Sequence, residues 1–431
     1  MVQRISNVLR QRALSSAVML AMGAAAAAAL ASTGPVVGSI QVVSANASGT
    51  AATIGSTNCA VSADGNLVLF SSGASNLVAG DSNRTDDLFL KHLTTGAITR
   101  VTTQNSGAQL AAGGNCLGMT MTPDGRVVAF NSGQAVFAKN TQTGLLTQAS
   151  PPAGVVPQVT GFFGGVLSDD GTQLVFITRP ETIYAGPYLF VNVVPARLML
   201  RDLSNGSLVF LATDNGIVAQ GEVVSNRFAI SPDGTRVAFV SSSASLVPGD
   251  TNSRADVFVR KLVDSTTLLA SSTSAGVPAV TTVCCNSFYW NPAFVSNTRL
   301  AFAAGQPSSL GDKGLYLKDL ASGALELVLG DASGEEAQLS GDGRKVVFSR
   351  LYSGWDRRVF VRDRTTGAKT LASASASGVA SNGNSTVPVI SRDGTRVAFG
   401  SSARNLVSPR PPAGVAQIYA KTVGSVAAVQ P

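Results

Sequence analysis

The chain has 431 residues, a formal net charge of +7, 13% charged residues and 44 glycines. Its 45% of hydrophobic residues can build a large core, and only 6% are aromatic. No Lys/Arg cluster is interleaved with aromatics, which argues against nucleic-acid binding, and the low charge suits an extracytoplasmic β protein.

Residues 1–31 read as a secretory signal peptide. Arg4, Arg10 and Arg12 form a basic start, Ala13 to Ala31 is uncharged and apolar, and Ala29-Leu30-Ala31 offers small residues for cleavage. Export by a Sec-type route to the periplasm or outside a bacterial cell is expected, with 32–431 as the mature domain. No later apolar run is long enough to span a bilayer, so no transmembrane segment is expected after signal removal. The stretch Ile40 to Gly49 resembles a unit-ending strand such as Leu371 to Gly378. It is expected to pair beside the C-terminal unit and close a ring, which would remove the exposed sheet edges of an open array.

From residue 62 onward one phrase recurs, a polar turn followed by an apolar strand. It reads Ser62-Ala63-Asp64-Gly65 before Leu67-Val68-Leu69-Phe70, and Thr122-Pro123-Asp124-Gly125 before Val127-Val128-Ala129-Phe130. It returns at Ser168, Ser231, Ser340 and Ser391, with a worn copy at Ser296-Asn297-Thr298-Arg299. The copies are spaced 46 to 63 residues apart, a period that marks propeller blades. Ser, Pro and Gly at these positions suit a tight turn between antiparallel strands. Each unit continues with an alternating strand, a turn and a further strand, as in Val359-Phe360-Val361-Arg362-Asp363 before Thr365-Thr366-Gly367. The predicted fold is therefore all-β: a seven-bladed β-propeller of four-stranded antiparallel blades, closed by an N-terminal strand in the last blade. A membrane barrel would need aromatic girdles, which this chain lacks.

Several residues are candidates for chemistry. The repeat-turn aspartates read as structural, since a short carboxylate bonds nearby backbone N–H groups. Cys59 and Cys116 precede the turns of units 1 and 2, where a disulfide would join neighbouring blades; Cys284 and Cys285 are either a vicinal disulfide or thiols, and their spacing is no zinc pattern. His92, the one histidine, stands on a strand beside Lys91, and no Gly-x-Ser-x-Gly elbow accompanies it. Two loops place Asp, Asn and Asp at matching spacing: Asp81, Asn83 and Asp87, then Asp250, Asn252 and Asp256. Calcium takes several such oxygens; the alternative is hydrogen bonding within the loop. No other cofactor is expected. Asn58, Asn115 and Asn226 precede repeat turns and either line the channel mouth or bond strand ends. Tyr184 and Tyr188 lie in a long insert of unit 3, and Tyr289 and Trp290 in unit 5, where they either fill gaps or stack on a sugar or peptide. Glu335 and Glu336 fall in the connection entering the inner strand of unit 6, where a carboxylate pair either does acid–base work, binds a cation or, as the more common case, is a solvated loop pair.

The phrase Ser231 to Phe239, followed by Asp256-Val257-Phe258-Val259-Arg260, resembles the TolB-type propeller repeat, a WD-like repeat of exported bacterial proteins. The resemblance runs from about Ile40 to the end. TolB carries an α/β domain ahead of its propeller, and this chain is expected to lack one. The resemblance implies a binding scaffold approached through loops at one end of the ring, and with no catalytic signature in the residues the leading expectation is a monomeric, non-catalytic propeller that binds a protein or peptide. A lectin-like glycan-binding propeller is the first alternative, and a propeller hydrolase or lyase the second.

Overall fold

A computed structural model describes residues 38–114, 120–152, 156, 161–178, 181–184, 190–194, 197–211, 213–214, 217–218, 223–252, 255–273, 292–305, 313–330, 336–353 and 356–423. Among them there is no helix. Seven four-stranded antiparallel sheets form the blades, each running from an inner first strand to an outer fourth. Blade 1 is Ser56–Val61, Leu67–Ser72, Asp87–His92 and Ile98–Arg100. Blade 2 is Thr120–Met121, Val127–Ser132, Ala135–Asn140 and Leu146–Gln148. Blade 3 is Phe162–Leu167, Gln173–Thr178, Leu198–Asp202 and Leu208–Phe210. Blade 4 is Val223–Ile230, Arg236–Ser241, Asp256–Lys261 and Thr267–Leu269. Blade 5 is Ala293–Phe294, Arg299–Gly305, Lys313–Asp319 and Leu325–Leu329. Blade 6 is Ala337–Leu339, Lys345–Ser353, Asp356–Asp363 and Lys369–Leu371. Blade 7 is Ser385–Ile390, Arg396–Ser401, Gln417–Thr422 and, as its outer strand, Ile40–Val42.

That last pairing closes the ring as the sequence predicts. Ile40 lies opposite Lys421 and Val42 opposite Tyr419, antiparallel. The Ser44 hydroxyl donates to Gln417 Oε1 at 2.6 Å beside the joint. The insert of unit 3 is a separate hairpin, Glu181–Tyr184 with Phe190–Val194.

The repeat turns are built as turn chemistry requires. In six blades the hydroxyl of the first turn residue donates to the aspartate, for example Ser231 to Asp233 at 2.6 Å and Thr122 to Asp124 at 2.6 Å. The same hydroxyl accepts the N–H that opens the second strand, Arg236 at 2.9 Å in blade 4. The aspartate in turn accepts the N–H two residues on, as Thr235 to Asp233 at 3.0 Å. Burial opposes ionisation of Asp64, Asp124, Asp170, Asp233 and Asp342, but these hydrogen bonds outweigh it and hold each carboxyl below the usual range. Each turn glycine sits at φ of about +70°, as at Gly234 (φ 70°), where a side chain would be strained.

Packing follows the same period. Seven apolar clusters fill the seven blade interfaces, such as Val68, Phe70 and Phe89 of blade 1 against Ala398, Ile418 and Ala420 of blade 7. In six blades the second and third strands pair an aromatic with an aromatic, from Phe70–Phe89 at 5.6 Å to Phe302–Tyr316 at 6.3 Å. Blade 3 departs, with Phe176 opposite Met199; Phe162 meets Phe176 edge-on instead.

A second repeating feature escaped the sequence reading. The residues opposite Val68, Val128, Leu174, Val237, Leu300, Val346 and Val397 are Lys91, Lys139, Arg201, Arg260, Lys318, Arg362 and Lys421. Every third strand thus carries a cation at one register position. The four lysines are buried and donate to main-chain carbonyls. Lys421 reaches Ala374 O at 2.7 Å and Ser375 O at 2.8 Å, and Lys91 reaches Ala45 O, Asn46 O and Gly96 O at 2.7–3.0 Å. Each therefore holds the segment leaving the outer strand of the preceding blade. Burial pushes Lys421 down to about 8, against the pull of its carbonyl partners.

Two outcomes follow from this chemistry. Ser231→Ala removes a donor to Asp233 and an acceptor for Arg236 N–H, and is expected to cost about 1–3 kcal/mol; the urea midpoint should fall without a change of slope. Lys421 binds its proton more weakly folded than unfolded, so its contribution is a penalty below pH 8 that disappears as pH rises from about 8 towards 10.5. The stability of the parent relative to Lys421→Met should therefore increase over that window, measured by denaturant titration at each pH.

Candidate functional site

Antiparallel alternation sorts the loops by face. The Asp-Gly turns and the turns between third and fourth strands lie on one end, the turn face. The longer loops, which carry most of the candidate residues, lie on the other, the loop face.

The turn face is tied shut. Ala63 N–H donates to Pro123 O at 2.8 Å, Asp169 N–H to Pro232 O at 3.0 Å, Gly341 N–H to Arg392 O at 2.8 Å and Asp393 N–H to Ala63 O at 3.1 Å, linking neighbouring blades turn to turn. Arg392 of blade 7 forms an ion pair with Asp169 of blade 3, blades on opposite sides of the axis. A cavity of about 190 Å³ lies here, lined by Val61, Met121, Ile230, Phe294, Gln338 and this ion pair among others. Ligand access to the axis is therefore expected from the loop face.

On that face the corner between blades 6 and 7 gathers the chemistry. Glu336 immediately precedes the inner strand of blade 6. Its Oε2 accepts the Val387 N–H of blade 7 and the Ser349 hydroxyl at 3.3 Å. Val387 can present that N–H because the inner strand of blade 7 bulges between Thr386 and Val389 and Val387 itself sits at φ 49°. A β-branched residue there is strained, and such strain concentrates at functional positions. Burial pushes the Glu336 carboxyl up; its two hydrogen bonds and the nearby Arg357 oppose this without reversing it.

Beside it, the second and third strands of blade 6 extend past those of other blades into a long hairpin. It carries Arg350, Arg357 and Arg358 on the loop face. The Arg358 guanidinium lies 3.9 Å over the Tyr352 ring and pairs with Asp356 at 3.1 Å. Tyr352 is 63% exposed. Arg357 N–H donates to Asn384 Oδ1 at 2.9 Å, tying the hairpin to blade 7. The corner thus joins a buried carboxyl to Arg357; Arg358, with the exposed Tyr352 against it, lies on the other face of the hairpin, the side of Phe348 and Phe360 that packs towards blade 5.

The other sequence candidates fall elsewhere. Asn58 is buried (2% exposed), and its amide reaches Val387 O and Ala398 O of blade 7 at 3.4 Å; it joins blades. Asp87 is buried, accepting from Thr102, from Gln109 at 2.8 Å and from Asn83 at 3.2 Å. Asp81 accepts from Gln109 at 2.9 Å and lies 3.7 Å from Arg100. In blade 4, Asn252 donates to Asp256 at 2.8 Å and its N–H to Asp250 at 3.5 Å. Among the described residues no three His, Cys, Asp or Glu side chains form a metal cluster. His92 Nδ1 accepts Thr95 N–H at 3.3 Å within its turn. Cys59, Tyr184 and Asn226 lie on strands whose side chains are not described. The signal segment 1–31, Asn115, Cys116, Tyr188, Cys284, Cys285, Tyr289, Trp290 and Glu335 lie outside the described residues. The sequence reading missed Tyr352, Arg357 and Arg358. Their signal was the unusual length of unit 6's hairpin and its density of arginine.

No family model matches the chain, and no curated protein does. Solved structures do. An oligogalacturonate lyase in complex with manganese is 16% identical with a TM-score of 0.56, covering 91% of this chain and 99% of that one. Oligogalacturonate lyase from Vibrio parahaemolyticus is 14% identical with a TM-score of 0.56, covering 90% and 92%. TolB from Acinetobacter baumannii is a more distant neighbour, 14% identical with a TM-score of 0.41 over 68% of this chain and 60% of that one. The matches to the two lyases agree with the seven-bladed β-propeller fold. The comparison corrects the expectation of a non-catalytic protein-binding scaffold: the structures matched over nearly the full length of both chains are enzymes.

If the turn face is closed by the ion pair across the axis, Arg392→Ala should open it. A small neutral quencher should then reach tryptophan-free reporter positions near Met121 faster than in the parent, measured with a probe on Met121→Cys; equal rates would mean that the pair does not bar this end.

Proposed function

We propose that this chain is a propeller enzyme of the lyase or hydrolase class that cleaves an acidic saccharide at the loop face, between blades 6 and 7. The observation that carries the reading is Glu336: a carboxyl raised by burial, with Arg357 beside it, held by the left-handed Val387 of the next blade. Both elimination and hydrolysis require a proton on the leaving glycosidic oxygen. A carboxyl that burial holds in its protonated form to higher pH than an ordinary glutamate supplies one. Arg357 suits a uronate carboxylate. In a lyase, a base removes the proton α to the uronate carboxylate, a C=C bond forms and the C–O bond breaks. In a hydrolase, water takes the place of that base step and adds to the sugar.

The full-length likeness to oligogalacturonate lyases supports an enzyme, and the repeat phrase supports placing the chain near the TolB-type repeat family. The basic, apolar leader of residues 1–31 supports export.

The decisive experiment is turnover of uronate oligosaccharides, with and without added divalent cations. Unsaturated product, read by ultraviolet absorbance, identifies a lyase; new reducing ends without absorbance identify a hydrolase. Glu336→Gln should lower kcat by about 100-fold or more, and Arg357→Met should chiefly raise KM. Binding without turnover, or full activity in Glu336→Gln, would overturn the reading.

A further inference from the structure

Glu336, Val387 and Asn58 stand at one place in the repeat, each four residues before the first turn residue of its blade, Ser340, Ser391 and Ser62. They belong to blades 6, 7 and 1, which follow one another around the closed ring, and they form a chain. Val387 N–H donates to Glu336 Oε2, and Val387 O accepts from Asn58 Nδ2 at 3.4 Å. One residue of blade 7 thus joins the carboxyl of blade 6 to the amide of blade 1.

Blades 2 and 3 show the plain form of this joint. Gly164, at the same place before Ser168, lies in a bulge between Phe163 and Val166 at φ 72°. Its N–H donates to Asn131 Oδ1 of blade 2 at 2.9 Å. Glycine takes such backbone without strain, so a neutral side chain on its N–H completes the joint. Blades 6 and 7 alter both parts. The cap is the carboxyl of Glu336, and the left-handed residue is Val387, β-branched and followed by Pro388. Both features oppose left-handed backbone, so Val387 keeps φ 49° only where its surroundings hold it. Asn58 supplies a hold. Its amide reaches Val387 O and, on the second strand of blade 7, Ala398 O, each at 3.4 Å, on either side of the bulged ladder. Asn58 is 2% exposed and its Oδ1 has no hydrogen-bond partner. An amide with one end unpaired is a costly way to fill space; its use lies in the N–H groups given to blade 7.

We infer that Asn58 is a positioning residue for Glu336: it steadies the left-handed backbone of Val387, whose N–H fixes the carboxyl. The inference rests on the proposed role of Glu336 as proton donor. An N–H given to a carboxyl favours its ionised form. Loss of the hold therefore lets burial raise the Glu336 carboxyl further, and lets it turn from the place where it delivers its proton. Arg357, the charged group beside Glu336, is left in place by a change at Asn58.

The test uses the full-length protein with carbon-13 in its glutamate carboxyls, followed by NMR; the Glu336 signal is the one missing in Glu336→Gln. Asn58→Leu keeps the bulk and removes the amide. Its circular dichroism should match the parent, while the titration midpoint of Glu336 rises by about one pH unit. On uronate oligosaccharides kcat should fall by about tenfold or more with KM little changed, and the basic limb of its pH profile should move up with the midpoint. Asn58→Ala, which is smaller, is the second variant and carries the same expectations. Val387→Gly takes the left-handed backbone unaided, so adding it to Asn58→Leu should restore both midpoint and kcat. An unchanged midpoint in either folded variant, or a loss that Val387→Gly leaves in place, would overturn the inference. A parent without turnover would instead overturn the proposed activity, and the titration would still decide whether Asn58 governs the carboxyl.

Discussion

The pairing of Ile40–Val42 with the third strand of blade 7 is the constraint on which the rest depends. Blades of this kind do not stack as independent units. Each of the seven apolar clusters is shared by two neighbours, so a blade without a neighbour would expose a face of Val, Leu and Phe to water. Six interfaces join consecutive parts of the chain. The seventh joins its two ends, and three residues of β-ladder reinforced by Ser44 and Gln417 hold it. Because that clasp combines segments nearly 400 residues apart, local unfolding of the ends is coupled to the whole ring.

The buried cations extend the same logic from the sheets to the loops. Hydrophobic packing fixes the second and third strands but not the segments that leave each outer strand. The lysine on the third strand reaches back to those segments and satisfies carbonyls that no strand partner covers, as Lys421 does for Ala374 and Ser375 and Lys318 for Ser272 and Thr273. Such an arrangement is costly to solvation, which is why burial depresses these lysines. What it provides is placement: connections that cross from one blade to the next are pinned at their roots, so the loop face can carry polar groups in fixed positions.

The fold was legible in the sequence because its signals are local and repeated. Ser231-Pro232-Asp233-Gly234 specifies a turn through side chains within five residues of one another, and six such turns with one worn copy specify a ring. The strand Ile40–Val42 was legible by likeness to Leu371–Gly378. The corner at Glu336 was legible only in part. Its carboxyl stood out as one of a pair, but its burial depends on Val387, fifty-one residues away on another blade, and on a bulge that no local pattern announces. Tyr352 and Arg358 meet across a hairpin, and their distance follows from strand register rather than spacing. For Asn58 the sequence left two readings open, channel lining or bonding at a strand end, and the bulge after it turns the amide between blades, towards the backbone of blade 7.

Repetition also makes departures from the repeat informative. Where seven copies of one scaffold differ, the difference marks a position released from its structural duty or given another. Blade 6 lengthens its middle hairpin and fills it with arginine, and beside it Glu336, just ahead of the inner strand, is buried near Arg357. Blade 7 bends its inner strand at Val387 and offers the N–H that the carboxyl accepts. Neither change improves the packing of its own blade: Leu351 and Tyr352 remain exposed, and a left-handed valine costs backbone energy. Two neighbouring blades bear local costs that meet at one carboxyl, and a function for that corner, as in the proposed activity, accounts for them better than stability does.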